Sequence, residues 1–332
     1  MRTAPDVSLP AQHVFKLVEP ELQRVEDRLK SEATSNLGLI TRMNEYLHNS
    51  GGKRLRPSLL LLLSKLCHLK GDASIQLGVV VELIHVATLV HDDIIDHSSV
   101  RRGRTSLNAK WGDEKTVLFG DWLYMTAFWL ALQERNFRVL DILIDITRTM
   151  VEGELLQLEY NNRLDISSED HLSICWRKTA HLFSGCGRLP AILAGAEPQT
   201  EERLASYGRS VGMAFQLVDD LLDYTADEEV LGKPVLKDLE EGKVTLPIIY
   251  LMERARPTEK SAIERIVEAR EFTNENKRQI IELVRKYDTL QDLQSLADEY
   301  AGQAQKMLDG FPDSIYRDAL LEIPKIVVRR RN

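Results

Sequence analysis

His91-Asp92-Asp93-Ile94-Ile95-Asp96 places an Asp-Asp-x-x-Asp motif at the end of a strongly apolar stretch. The motif recurs in a second apolar stretch, Gln216-Leu217-Val218-Asp219-Asp220-Leu221-Leu222-Asp223. On a helix, the first and last Asp of each motif share one face, and the middle Asp points about 100° away. Like charges at this spacing repel each other, and carboxylates among Leu and Ile are costly to bury. Both motifs therefore predict a bound cation.

The chemistry of the motifs favours Mg²⁺ and a phosphate. Clustered carboxylate oxygens suit a hard divalent cation. Mg²⁺ usually bridges one or two carboxylates to the phosphates of a substrate. Two such helices facing each other would form a carboxylate-lined pocket for more than one ion. The alternative is that each motif is only a solvated helix face.

The periodicity along the chain predicts an all-α protein. Apolar residues recur at helical spacing, and no sustained alternation of apolar and polar residues predicts strands. We expect one domain over residues 1–332, built as a large helical bundle, with residues 1–11 as a loose tail. The predicted helices, beyond those expected between residues 13 and 66, cover 73–98, 113–133, 136–161, 168–195, 199–224, 243–254, 258–272, 274–286 and 288–309.

Composition excludes several functional classes. The net charge of -8 argues against a general nucleic-acid binder. The three cysteines, Cys67, Cys175 and Cys186, form no CxxC pair and are predicted to be reduced core thiols. Reduced thiols predict a cytoplasmic protein. Uninterrupted apolar runs are too short to span a bilayer, so we also expect no membrane span.

Basic segments accompany the acidic motifs. Gly51-Gly52-Lys53-Arg54-Leu55-Arg56-Pro57 puts three cations and backbone amides at the start of a helix, where anions are favoured. Arg101-Arg102-Gly103-Arg104 follows the first Asp motif. Arg177-Lys178-Thr179, Gly232-Lys233 and Gly242-Lys243 come later. Each segment alone predicts a solvated surface patch, but together they match the charge of a metal-bound diphosphate.

These segments, in this order, resemble the trans-isoprenyl diphosphate synthase family. The resemblance is clearest from Gly51 to Pro247 and includes Phe215-Gln216 and the segment from Asp238 to Pro247. It implies the isoprenoid synthase fold, a helical bundle around a deep central cavity, usually as a homodimer. The implied reaction joins isopentenyl diphosphate head-to-tail to an allylic diphosphate such as geranyl, farnesyl or geranylgeranyl diphosphate. Leu236, where the family often has Gly, and Arg104, where Lys is common, depart from its pattern.

The resemblance also implies roles for individual residues. Asp92, Asp96 and Asp219 would ligate about three Mg²⁺ ions, with Asp223, Asp93 and Asp220 assisting through water. The catalytic set would be Asp92, Asp96, Asp219 and Lys178. Isopentenyl diphosphate would bind Lys53, Arg56, His85 and Arg102. The allylic diphosphate would bind Arg101, Lys178, Thr179, Gln216, Lys233 and Lys243.

The product is predicted to be long. Ala87 and Thr88 lie one helical turn before Asp92, where short-chain members of the family carry a bulky aromatic residue. A growing chain could pass these small side chains, and Phe128 or Trp129 could form a deeper floor. We expect an all-trans product of about C35 to C50, such as a quinone side-chain precursor. Alternatively, the two residues are small only because helices pack closely there.

Three other functions remain open at this point. A short-chain synthase making C15 to C20 products would share both motifs. A terpene cyclase would ionise the same substrate, but it needs no site for isopentenyl diphosphate. A non-catalytic partner subunit would normally have lost one Asp motif, and this chain retains both.

Overall fold

The computed structural model describes residues 11–32, 35–48, 54–101, 103–225 and 235–330. The all-α prediction is confirmed for these residues. The first helices are α1 (Ala11–Lys16), α2 (Glu19–Glu32), α3 (Gly38–His48), α4 (Leu55–Leu66) and α5 (Ala73–Ile95). They are followed by α6 (Leu107–Trp111), α7 (Asp113–Gln133), α8 (Phe137–Tyr160) and α9 (Ser168–Cys175).

The second half of the chain continues in the same way. A π-helix (Trp176–Ala180) directly follows α9, and α10 (His181–Leu193) and α11 (Pro198–Thr225) come next. The remaining helices are α12 (Lys237–Glu240), α13 (Leu246–Arg254), α14 (Pro257–Ala269), α15 (Asn274–Lys286), α16 (Thr289–Met307) and α17 (Ile315–Val328). The predicted helix over 168–195 is thus interrupted by a π-helical turn, which hydrophobic periodicity does not reveal.

A short hairpin departs from the prediction that strands are unlikely. Strand β1 (Val100–Arg101) pairs antiparallel with β2 (Arg104–Thr105). Strands of two residues are too short to produce an alternating pattern. Gly103 has a φ of 73° at the turn, a conformation that Gly adopts without steric cost.

The chain divides into two compact units, each assembled from separate segments. Unit 1 comprises residues 1–147, 184–206 and 310–322, and unit 2 comprises 148–183, 207–309 and 323–332. The prediction of one domain over the whole chain stays a prediction.

The core of unit 1 centres on α5, which packs against α2, α4 and α7. Leu77, Val80 and Ile84 of α5 are fully buried, as is typical of a helix that is apolar nearly all round. Glu82 is also buried, and its carboxylate binds Arg54 at 2.5 Å. By length and hydropathy α5 could cross a membrane, but 67% of its most apolar window is buried within the fold. No other helix in the described ranges passes that test.

The core of unit 2 contains the second motif. Leu217 and Val218 of α11 join a buried cluster with Leu246, Ile249 and Leu251. Helix α13 packs against α9, α15 and α16. The apolar residues around Asp219 and Asp220 therefore belong to the core of unit 2.

Candidate active site

The first Asp motif ends α5, and its three carboxylates have different surroundings. Asp92 and Asp96 are half-buried, whereas Asp93 is buried. The Nε of Arg101, on β1, donates to Asp93 Oδ1 at 2.6 Å. The helical offset predicted from the sequence thus turns the middle carboxylate into the protein.

A cleft in unit 1 lies beside this motif. His85, Leu89 and Val90 line it from α5, together with Asp93 and Arg101. His85, one of the residues predicted to bind isopentenyl diphosphate, is therefore accessible from the cleft. Arg56 begins α4 and is half-buried. Lys53 and Arg102, the other two residues of that set, lie outside the described residues.

Arg54 does not act as the sequence suggested. It was counted with Lys53 and Arg56 as a cation for an anionic ligand, but its side chain is directed inward. Arg54 donates to Glu26 and binds Glu82 at 2.5 Å. Burial opposes its charge, but these two carboxylates hold the pKa of Arg54 above its ordinary value. Its charge therefore balances two partly buried acids at the edge of the cleft that His85 lines.

The second Asp motif lies at the C-terminal end of α11. The side chain of Asp219 is 49% exposed, and Arg330 Nη1 lies 3.2 Å from its Oδ1. Asp220 is buried. Asp223 is half-buried and accepts backbone N–H groups from Lys237 at 2.9 Å and Asp238 at 3.3 Å.

The carboxylates around Asp223 crowd one another. Burial raises the pKa of Asp223 to about 6, and the nearby charges of Asp220 and Glu241 raise it further. The two backbone N–H groups oppose this shift, because they stabilise the charged carboxylate. Burial, together with Asp223 and Asp220, also raises the pKa of Asp238 well above its ordinary value. A divalent cation would relieve this repulsion, so the donor set fits Mg²⁺.

Among the predicted diphosphate-binding residues of unit 2, the structure brings Thr179 and Gln216 into contact. Lys178 and Thr179 lie on the π-helix, and Lys178 Nζ is 2.5 Å from Glu154. Thr179 Oγ1 donates to Gln216 Oε1 at 2.7 Å. Lys243 pairs with Glu241 at 2.8 Å. Lys233 lies outside the described residues.

A buried His–Cys–Asp group lies below the second motif. Among the described residues, ligand atoms of His171, Cys175 and Asp220 lie within 4.8 Å of one another. Its nitrogen and sulfur donors suit a softer ion than Mg²⁺. No local pattern predicts that His171 and Cys175 meet Asp220, because 45 residues separate Cys175 from Asp220.

The residues predicted to limit chain length differ in accessibility. Ala87 is fully buried, and Thr88 is half-buried with its hydroxyl donating to the His85 carbonyl at 2.7 Å. Phe128 is half-buried on α7. Trp129 is 56% exposed, which argues against Trp129 as part of a buried floor.

The C-terminal basic run places Arg330 beside the second Asp motif. Besides pairing with Asp219, Arg330 lies over the ring of Phe215, 5.1 Å from its centroid. The run Arg329-Arg330-Arg331 was the available signal, but its partner could not be read from the sequence.

Comparisons with known proteins identify the family of this chain. The sequence profile of the family described as Polyprenyl synthetase matches residues 38–284. The chain is 36% identical to octaprenyl diphosphate synthase of Escherichia coli, over 96% of this chain and 98% of that protein. It is 33% identical to geranylgeranyl diphosphate synthase of Sulfolobus acidocaldarius, over 92% and 96% of the two chains. A polyprenyl synthase from Caulobacter crescentus, solved with calcium and isoprenyl diphosphate, superposes with a TM-score of 0.93 and 36% identity, covering 99% of this chain and 100% of that one.

Proposed function

This chain belongs to the polyprenyl synthetase family, and we propose that it condenses isopentenyl diphosphate onto an allylic diphosphate to make a long-chain all-trans polyprenyl diphosphate. One observation carries the proposal. Of the outer carboxylates, Asp92, Asp96 and Asp219 are half-buried or exposed, whereas Asp223 accepts two backbone N–H groups. The middle carboxylates, Asp93 and Asp220, are bound within the protein. Two motifs with accessible carboxylates fit a metal-bound diphosphate better than a solvated helix face does.

The metal ligands are proposed to be Asp92 and Asp96 in unit 1 and Asp219 and Asp223 in unit 2. Mg²⁺ is the proposed ion, at about three per chain, because oxygen donors and phosphates are its usual ligands. The structural relative from Caulobacter crescentus binds calcium, which supports a divalent cation here. Bound Mg²⁺ would neutralise charge on the departing diphosphate.

The basic residues would hold the two substrates. Arg101, Lys178 and Lys243 carry positive charge for the allylic diphosphate, and Thr179 and Gln216 add hydrogen bonds; Lys233 belongs to the same proposed set. Lys53, Arg56, His85 and Arg102 are proposed to hold isopentenyl diphosphate. In this structure Arg101, Lys178 and Lys243 pair with Asp93, Glu154 and Glu241, and each cation has further N–H donors with which to bind a phosphate oxygen.

The proposed reaction forms an allylic cation, which must be protected from water. The allylic C–O bond breaks, its electron pair leaves with the diphosphate, and an allylic cation remains. The double bond of isopentenyl diphosphate attacks this cation, and proton loss to the released diphosphate restores a double bond. Apolar side chains such as Leu89 and Val90 beside the first motif keep water from the cation.

A long product is supported by Ala87 and Thr88, which add little bulk one turn before Asp92. The similarity to octaprenyl diphosphate synthase points in the same direction. We propose a product of about C35 to C50.

The enzyme is proposed to act as a cytoplasmic homodimer. Exposed apolar residues follow one another at helical spacing on α7 and on α8, and such stripes mark protein contacts. A second copy of the chain is the simplest partner, since most oligomers are symmetric. The stripes consist of Leu118, Met125, Trp129 and Leu132 on α7, and of Phe137, Ile144, Val151, Leu155 and Leu158 on α8.

The test is to incubate the purified chain with Mg²⁺, farnesyl diphosphate and isopentenyl diphosphate and to separate the products by chain length. We expect products of about C35 to C50 and no activity with a chelator present. Products ending at C20 would favour the short-chain alternative. Cyclic hydrocarbons formed without consumption of isopentenyl diphosphate would indicate a terpene cyclase, and activity only with a second protein would indicate a partner subunit.

A further inference from the structure

Five side chains of unit 2 form a continuous line of polar contacts. Cys175 Sγ lies 3.3 Å from His171 Nε2, which lies 3.0 Å from Asp220 Oδ2. Gln216 Nε2 donates to Asp220 Oδ1 at 2.8 Å, and Thr179 Oγ1 donates to Gln216 Oε1 at 2.7 Å. The line therefore begins in the core and ends at two residues proposed to bind the allylic diphosphate.

The line ties one short segment to α11 at two points. His171 and Cys175 are one turn apart on α9, and Gln216 and Asp220 are one turn apart on α11. Between His171 and Thr179 the chain passes into the π-helix, whose wider turn changes the direction of its side chains. The contacts of His171 and Thr179 with α11 therefore hold the chain on both sides of Lys178.

Asp220 depends on His171 because it is buried. A buried carboxylate is costly unless donors reach its oxygens. Gln216 supplies a donor to Oδ1, and His171 supplies one to Oδ2. Since a carboxylate only accepts, Asp220 turns the amide nitrogen of Gln216 toward itself and the carbonyl toward Thr179.

We propose that His171 is a positioning residue for the allylic diphosphate: it holds Asp220, which orients Gln216 and, through it, Thr179. This inference rests on the proposed function and deepens it. His171 acts only through its contacts, since it is buried and lies two side chains away from Thr179. Its loss should weaken the allylic site and leave the isopentenyl diphosphate site of unit 1 unchanged.

The test compares two amides of different reach. His171→Gln carries a donor near the position of the histidine Nε2, whereas His171→Asn is chemically alike but too short to reach Asp220. We expect His171→Asn to raise KM for farnesyl diphosphate about 10-fold, the usual effect of a lost hydrogen bond to a charged group. KM for isopentenyl diphosphate should stay within about twofold, and His171→Gln should recover most of the loss.

Cys175→Ala is the matched control in the same turn. A thiol is a weak hydrogen-bonding partner, and Cys175 ends the line, so its kinetic constants should stay within about twofold of wild type. His171→Phe, which keeps the ring volume and removes the donor, provides a second loss variant, with circular dichroism and thermal unfolding to verify its fold.

The outcomes separate this inference from the proposed function. Equal changes in both KM values, unchanged kinetics in folded His171→Asn and His171→Phe, or no recovery in His171→Gln would overturn the positioning role while the wild-type enzyme remains active. A wild-type chain that makes no prenyl product with any allylic diphosphate would overturn the proposed function itself, and the positioning role with it.

Discussion

At the scale of the residue, the three carboxylates of each Asp motif have different tasks. Asp93 and Asp220 are buried and bound by Arg101 and by His171, respectively. Of the outer carboxylates, Asp92, Asp96 and Asp219 are half-buried or exposed and therefore suited to metal ligation, whereas Asp223 accepts two backbone N–H groups. The proposed ligand Asp219 also pairs with Arg330, so a metal ion and this guanidinium would share one carboxylate.

Replacing Asp219 should abolish most activity without unfolding the protein. Asp219→Asn removes a metal ligand from a side chain that is 49% exposed, so the fold loses little. We expect kcat/KM to fall by roughly 10²-fold or more, as for the loss of one group that stabilises transition-state charge. Steady-state kinetics at saturating Mg²⁺, with urea unfolding alongside, measure the two effects. The exposed Asp165→Asn is the control, and equal activity of the two variants would rule out Asp219 as a ligand.

At the scale of the element, the π-helix is held between closely packed helices. A Cβ on Gly153 of α8 would lie 2.6 Å from the Arg177 Cβ. A Cβ on Gly212 of α11 would lie 2.6 Å from the Ala180 Cα. Both distances are shorter than van der Waals contact, so the two glycines allow the neighbouring helices to approach the segment that carries Lys178 and Thr179.

Gly212→Ala should therefore destabilise the protein, although Ala is the better helix former. The added methyl group must displace the backbone of Ala180 and the side chain of Phe183, so we expect a cost of about 2–3 kcal/mol, which exceeds the gain of about 0.5–1 kcal/mol in helix propensity. Gly302→Ala on α16 is the control, because a Cβ there meets nothing within 4 Å. It should stabilise by about 0.5–1 kcal/mol. Urea unfolding measures the change in the free energy of unfolding for both variants. A Gly212→Ala variant more stable than wild type would contradict the packing argument.

Helix α5 is proposed to set the product length through the turn that precedes Asp92. Ala87→Phe and Thr88→Phe should both shorten the product, since a phenyl ring would block the path of the growing chain. Ala87 is fully buried, so its Phe variant must also displace neighbours; Thr88 is half-buried and accommodates the ring more easily. Chromatography of the products with farnesyl diphosphate as primer is the measurement. The control is Ala87→Ser, in which the new side chain is close in size to Ala, so the product length should not change. Unchanged products from both Phe variants would show that this turn does not limit the product length.

At the scale of the whole molecule, the exposed apolar stripes on α7 and α8 remain without a partner within the described parts of one chain. If a second copy covers them, the molar mass in solution should be twice the 37.9 kDa of the chain. The variant Met125→Glu with Leu155→Glu places charges in both stripes and should lower the mass toward that of a monomer. Light scattering after size exclusion measures this change. Ile315→Glu, at an apolar residue that is 56% exposed on another helix, should keep the dimer mass; a wild-type monomer would refute the dimer.

The helices and the accessible carboxylates followed from the sequence alone. Helical periodicity is local, so the bounds of α5, α7 and α11 came within a few residues of their predicted positions. The four-residue spacing of Asp92 and Asp96 placed both on one face for the same reason. The ordered motifs also predicted the family, which the matching profile confirms.

The partners of the charged groups were decided only by the tertiary structure. Arg54 and Arg56 are both basic in one short segment, yet Arg54 is bound by Glu26 and Glu82 inside unit 1. His171 meets Asp220 across 49 residues, and Arg330 meets Asp219 across more than a hundred. Local spacing determines which face of a helix a side chain occupies, whereas the partner on that face depends on the packing of distant segments. That packing is why the sequence identified the acids of the site but not the residues that hold them.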